Sequence, residues 1–278
     1  MLMQEKSNLL KLLKNKEGSK IVENQLKSIV IGAGEVGRSL YSVLKKTYGE
    51  NVLIRDKQAD YGIIESTSIL NICYPYSDSF VDITKGYIEQ YNPSDVTIIH
   101  STVPVGTTRK CGENCVHSPI HGKHPNLDKG IKTFTKFIGG EIPLAVLLAY
   151  SYLDNAGIKT KRVSSPEASE LSKILCTTYY GWNIIFCKEA ARVCEEFNVP
   201  FEEVYTNWNK EYNKGYAELG MGQFVRPVLE PIKGRTGGHC ICNNAKLLSF
   251  LPTDLILERD EEYAKETIDK KIVEIPLV

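Results

Sequence analysis

The chain has 278 residues, room for one large or two modest domains, with an ordinary 42% of hydrophobic residues. Its 34 basic residues balance its 34 acidic ones, so no charge excess directs it to nucleic acid or an anionic membrane. No apolar run is long enough to span a bilayer, and several of the eight cysteines fall inside apolar helical or strand patterns, as reduced thiols of a cytoplasmic protein do.

Residues 1–26 are rich in Lys and Glu, with Leu9, Leu10, Leu12 and Leu13 at helical spacing. They lack the continuous apolar core of a secretory signal and predict an amphipathic helical extension. The run Ser28-Ile29-Val30-Ile31 predicts a strand, and Gly32-Ala33-Gly34-Glu35-Val36-Gly37 follows it directly. A second run, Val52-Leu53-Ile54, ends at Asp56. In a strand–glycine turn–helix–strand unit each part serves a dinucleotide. Gly32 permits the tight turn, Gly34 lets backbone approach the diphosphate, and Gly37 lets the helix pack close to the strand. Asp56, 22 residues past Gly34, stands where a carboxylate accepts hydrogen bonds from the adenosine ribose, which favours NAD.

Farther on, residues 69–74 form an apolar run ending at Pro75, residues 79–91 are helical in pattern, and residues 96–100 predict a strand leading into Ser101 and Thr102. Residues 115–117 and 137–138 predict two more strands, and residues 141–155 a helix. Alternating strands and helices imply an α/β fold, a Rossmann-like doubly wound parallel sheet, over residues 27–164. Glu35, Val36, Tyr74, Pro75 and Ser101 join the glycines, Asp56 and Thr102 as candidate cofactor contacts. At Ser165-Pro166-Glu167 a cap, a first-position proline and an acid open a long helix to about Phe197. Its roughly 32 residues span about 48 Å, the length of a spine, and it begins a small helical domain over residues 165–278. A second helix is expected over 201–219, a glycine-rich loop over 220–244, and a charged helix after Pro252.

Three stretches together, the glycine fingerprint, Ser101–Thr108 (STVPVGTT) and the helix through Glu170-Leu171-Ser172-Lys173, resemble the UDP-glucose/GDP-mannose dehydrogenase family. A fourth, Gly237-Gly238-His239-Cys240, is similar to that family's GGxC loop. The resemblance implies NAD-dependent oxidation of an alcohol, with Cys240 as a thiol nucleophile, Lys173 as the catalytic lysine and Thr102 ordering water and the nicotinamide region. It also implies a homodimer joined through the spine helix. Where the family has Glu, Asn, Pro and Asp, this chain has Ile120, Thr177, Cys242 and Asn244. The family's third domain, which binds the substrate's nucleotide, is not matched. The expected substrate is therefore a small polar or sugar-like molecule. A non-catalytic NAD-binding homologue, a sensor or assembly subunit, is the alternative. His121, one residue past the replaced Glu, is a candidate acid/base near neutral pH. Cys111, Cys115, His117, His121 and His124 are ligand types for zinc at a spacing unlike a finger or ribbon, so no metal is expected.

Overall fold

A computed structural model describes residues 26–57, 66–122, 127–237 and 239–273, with the side chains of His239 and 266–273 set aside. The N-terminal extension, Lys123 and His124 lie outside the described residues. Contacts divide the chain into two units, one ending at Leu171 and one beginning at Ser172.

The first unit is built on seven strands: β1 (Ser28–Ile31), β2 (Val52–Arg55), β3 (Ile69–Ile72), β4 (Val96–Ile99), β5 (Cys115–His117), β6 (Lys136–Gly140) and β7 (Thr160–Arg162). Their order is β2-β1-β3-β4-β5-β6-β7. All pairs are parallel except β5 with β6, so the sheet is mostly rather than wholly parallel. Between the strands run α1 (Glu35–Tyr48), α2 (Phe80–Tyr91), α3 (Thr107–Cys111), α4 (Leu127–Thr133) and α5 (Pro143–Asn155).

Every residue of β1, β3 and β4 is buried, as a central parallel strand covered on both faces requires. Successive side chains go to opposite faces. Val30, Ile69 and Ile98 pack with Leu40, Val43, Ile131, Ala149 and Leu153 of α1, α4 and α5. Ile29, Ile31, Leu70, Ile72 and Ile99 pack with Phe80 and Cys111 of α2 and α3. Two cores on one sheet make the fold doubly wound. The path reverses at β1, whose neighbours are β2 on one side and β3 on the other, and ligands of open α/β sheets bind at such a switch.

The long helix α6 covers Pro166–Glu196. Its first turn is capped as expected, by Ala168 N–H donating to Ser165 Oγ at 3.1 Å. Gly139 makes room for this entry, since a Cβ there would lie 2.1 Å from Ser165 O. The contact-defined division falls inside α6 because its first turn is bonded to the sheet, as described below.

In the second unit, the segment expected as one helix is a π-helical stretch, Glu202–Asn207, followed by α7 (Trp208–Glu218). The glycine-rich stretch gives way to helix before 244: α8 covers His239–Ala245, so Cys240 sits in a helical first turn rather than a loop. The chain then forms α9 (Leu251–Val273). Ile185, Ile241, Ala245, Ile256 and Tyr263 form the core of this unit. Among the described residues no helix is long and apolar enough to cross a membrane.

Candidate cofactor and catalytic site

The glycine turn has the shape its sequence demands. Gly32 has φ +102°, and a Cβ on it would press 2.9 Å from Tyr74 N. Gly37 is tighter still, its hypothetical Cβ lying 1.7 Å from Gly32 O. Gly34 is open, with nothing within 4 Å of a Cβ, and it stands at the N-cap of α1. A side chain at Gly34 would thus project into space that neighbouring protein does not fill, beside the helix end where an anion gains from N–H groups and the dipole. The turn is fixed by Gly32 N–H donating to Arg55 O at 2.8 Å and Arg38 Nε donating to Ala33 O at 2.5 Å.

Asp56 closes the same corner. Its Oδ2 accepts from Ala33 N–H at 3.2 Å and its Oδ1 from Lys57 N–H at 2.7 Å. A cleft of about 380 Å³ opens beside it, lined among others by Gly32, Asp56, Lys57, Tyr74, Pro75 and Tyr87. That is within the usual range of small-molecule sites, and its mix of aromatic walls with one carboxylate suits an adenosine. The Tyr74 ring packs 5.0 Å from that of Phe80, and its hydroxyl sits 2.6 Å from Thr84 Oγ1. Burial raises the Tyr74 and Tyr87 phenols above their ordinary range.

Ser101 and Thr102 follow β4 at its C-terminal end. Ser101 is buried and its hydroxyl donates to Tyr74 O at 2.5 Å. His117, wholly buried, bridges Ser101 O at 3.0 Å and Ser169 Oγ at 2.9 Å. Cys111 and Cys115 lie in the apolar core, where burial pushes the Cys111 thiol up to about 11. Among the described residues no three His, Cys, Asp or Glu side chains converge as a metal site. His121 is half-buried, with its ring 6.4 Å from that of Phe134.

The first turn of α6 holds this half of the molecule. Arg109 donates to Glu167 at 2.8 Å and pairs with Glu141, and the guanidinium draws the Glu167 carboxyl down to about 2. Glu170 is fully buried and accepts three hydrogen bonds: Gly106 N–H at 2.6 Å, Thr108 N–H at 2.8 Å and Thr108 Oγ1 at 2.6 Å. Burial raises its carboxyl, and these donors oppose the rise. No sequence signal exposed this role, because the partners lie 62 and 64 residues away.

The second unit carries both Lys173 and Cys240. Burial lowers the Lys173 amine below its ordinary value, while the thiols of Cys176 and Cys240 act on it in the opposite sense. Cys240 is exposed. Thr177, one turn beyond Lys173, donates to Ile174 O at 2.9 Å and accepts from Asn244 Nδ2 at 3.2 Å. Thr177 and Asn244, where the resemblance would place Asn and Asp, therefore bond to each other as a neutral pair. The segment before Cys240 is pinned. Lys188 Nζ donates to Ile232 O and Gly234 O, each at 2.5 Å. Thr236 N–H and Arg235 Nη1 donate to the Asp260 carboxylate at 2.8 and 2.6 Å.

The sheet order and the switch at β1 together define a Rossmann-like α/β fold. No family model and no curated protein matches the chain. Solved structures do. One is a UDP-D-ManNAc dehydrogenase from Pyrococcus horikoshii, with TM-score 0.70, 17% identity, and 86% of this chain on 69% of that one. Another is a UDP-glucose dehydrogenase from Pyrobaculum islandicum, with TM-score 0.63, 15% identity, and coverage of 86% and 69%. A third is a 3-hydroxyisobutyrate dehydrogenase from Mycobacterium tuberculosis, with TM-score 0.62, 14% identity, and coverage of 88% and 95%. At such identities the likeness is one of fold.

Proposed function

We propose that this protein is an NAD-dependent oxidoreductase that moves a hydride between the cofactor and a hydroxyl or carbonyl carbon of a small polar or sugar-like substrate. The observation that carries the reading is the corner where open Gly34, the α1 N-terminus and Asp56 meet. Gly32, Gly34 and the first amides of α1 would hold the diphosphate, and Asp56 the adenosine ribose. NAD supplies the hydride acceptor when bound. A 2′-phosphate beside Asp56 would meet like charge, so NAD is favoured over NADP. Alcohol and NAD⁺ give carbonyl, NADH and one proton, and the residue proposed to take that proton is Lys173, whose amine burial lowers below its ordinary value.

A two-electron reaction is supported by the neutral Thr177–Asn244 pair and by Ile120 where a catalytic carboxylate is expected. A 3-hydroxyisobutyrate dehydrogenase matched over 95% of its length also supports it, since that enzyme needs little beyond the part this chain resembles. The same replacements favour a second reading, a cofactor-binding homologue without turnover. Calorimetry with NADH, followed by a spectrophotometric screen of hydroxy acids, polyols and sugar nucleotides, decides. One NADH per substrate supports the proposal, saturable binding with no turnover supports the second reading, and no binding removes both. We infer as well that two copies of the chain pair through α6.

A further inference from the structure

The Glu170 carboxylate lies away from the glycine corner yet is fully buried, and all three of its partners belong to the segment that follows β4. Gly106, with φ +88°, caps the five-residue α3, and its N–H and that of Thr108 are the amides a helix leaves unpaired at its start. Here a protein carboxylate fills them, so this terminus is closed to a ligand anion. Thr107 N–H adds a turn bond to Pro104 O at 3.2 Å. The segment from Ser101 to Thr108 is thus tied at one end to Tyr74 by Ser101 and at the other to α6 by Glu170.

What lies over that segment follows from sheet geometry. The adenosine corner is at β2 and β1. In the order β2-β1-β3-β4, the end of β4 is three strand spacings from β2, about 14 Å away along the crevice. An extended dinucleotide anchored at Asp56 and crossing the α1 N-terminus reaches β4 with its nicotinamide half.

We propose that Glu170 is a positioning residue for that half: its carboxylate sets the Thr108 end of the Thr102-bearing segment against which the nicotinamide nucleoside docks, while the Tyr74 end at the adenosine corner is held by Ser101 instead. This rests on the dinucleotide reading above. The geometry explains why a carboxylate is needed, since all three neighbours donate and only an acceptor at both oxygens satisfies them. An amide at this position would turn an N–H toward a donor and loosen the segment.

Calorimetry with NADH and with ADP on wild type, Glu170→Gln and Thr108→Val tests it. ADP touches the corner alone. Expected is an ADP affinity unchanged within about twofold in both variants, with NADH roughly tenfold weaker in Glu170→Gln and about threefold weaker in Thr108→Val. Equal losses for both ligands would make Glu170 a plain structural residue and overturn the proposal, as would NADH binding at wild-type strength. Should Glu170→Gln fail to fold, Thr108→Val, which keeps the carboxylate and both amides, decides by the same comparison. Wild type binding neither ligand overturns the dinucleotide reading and this inference together. Wild type binding both, with variants to match, removes this inference alone.

Discussion

A methyl group added to Gly37 would have to occupy space 1.7 Å from Gly32 O, whereas one on Gly34 would meet nothing within 4 Å. The two glycines of one motif therefore answer differently to the same change. Gly37→Ala is expected to cost about 3 kcal/mol or more, because backbone rather than a flexible side chain must yield. It should appear as a large drop in Tm. Gly34→Ala, at φ −70°, is expected to leave Tm unchanged or slightly higher and to weaken NADH binding, since the methyl projects where the diphosphate comes closest. Equal effects on Tm would refute the assignment of roles. Lys173 shows a related conflict. Burial disfavours its charged form, so its amine titrates below its ordinary value. A lysine with a lowered native pKa costs stability while protonated, and the cost fades as pH rises through the native pKa toward the unfolded one. Lys173→Met is expected to keep or raise Tm at pH 7 while abolishing turnover. In the wild type, turnover should rise with pH to a midpoint below 10.5, the ordinary value of the amine.

Within the sheet, one buried polar seam joins elements that apolar packing alone would leave free to slide. Tyr152 of α5 stacks on Tyr48 of α1 with centroids 4.9 Å apart and donates to Ser28 Oγ of β1 at 2.8 Å. Asn71 of β3 reaches Tyr152 Oη at 3.4 Å and lies 2.9 Å from His100 Nε2, and the other nitrogen of His100 is 3.1 Å from Ser118 O. Lys136 Nζ donates to Ser118 O, and burial with that nearby ammonium holds the His100 imidazole well below its ordinary value. Tyr152→Phe keeps the stack and removes the hydroxyl, so a loss of about 1 kcal/mol by denaturant titration is expected. A loss near zero would mean the seam contributes nothing. The sequence disclosed α1, β1 and β2 because local rules agree there: a continuous apolar run, a glycine turn and an acid at the right distance. It disclosed the start of α6 through Ser165 and Pro166. It hid β7, whose Thr160-Lys161-Arg162 is a polar edge strand without alternation, and α4, whose apolar stripe is only two or three residues. The antiparallel placement of β6 depends on how a connection runs, which no residue of Phe137-Ile138 records. At the candidate site the pattern was the same. Gly32, Gly37 and Asp56 were legible from spacing, while Glu170 and the Thr177–Asn244 bond were not, being products of contacts across more than sixty residues.

At the scale of the whole molecule the decisive feature is the face left uncovered by α6 and by Phe197 just past its end. Leu171, Leu175, Tyr179, Trp182, Phe186, Val193 and Phe197 are all exposed. At 100° per residue they fall within an arc of about 80°, one stripe running the length of the helix. Tyr179, Phe186 and Phe197 are 68%, 62% and 73% exposed, so at about 200 Å² for each aromatic side chain these three offer about 400 Å², and the other four members bring the stripe to on the order of 600 Å² of apolar surface. That is at the upper end of what a monomer leaves in water and close to the ~800 Å² that each side of a stable interface buries. The stripe is also nearly symmetric in sequence. Trp182 and Phe186 lie two residues either side of Ile184, Leu175 and Val193 nine, and Leu171 and Phe197 thirteen. Two copies crossing antiparallel at the level of residue 184 would set three pairs of members against each other, small against large at the ends, as a two-fold interface requires, with Tyr179 meeting Glu189. The expected solution mass is therefore twice the 31.2 kDa of the chain. Phe186→Glu, which places a charge beside the two-fold axis, should yield the monomer by light scattering after size exclusion. Its circular dichroism should stay unchanged, because Phe186 is mostly exposed and touches its own unit at Tyr205, the ring centroids lying 6.4 Å apart. A wild-type monomer at micromolar concentration, or a Phe186→Glu dimer of undiminished strength, would mean that something other than a second copy covers this face.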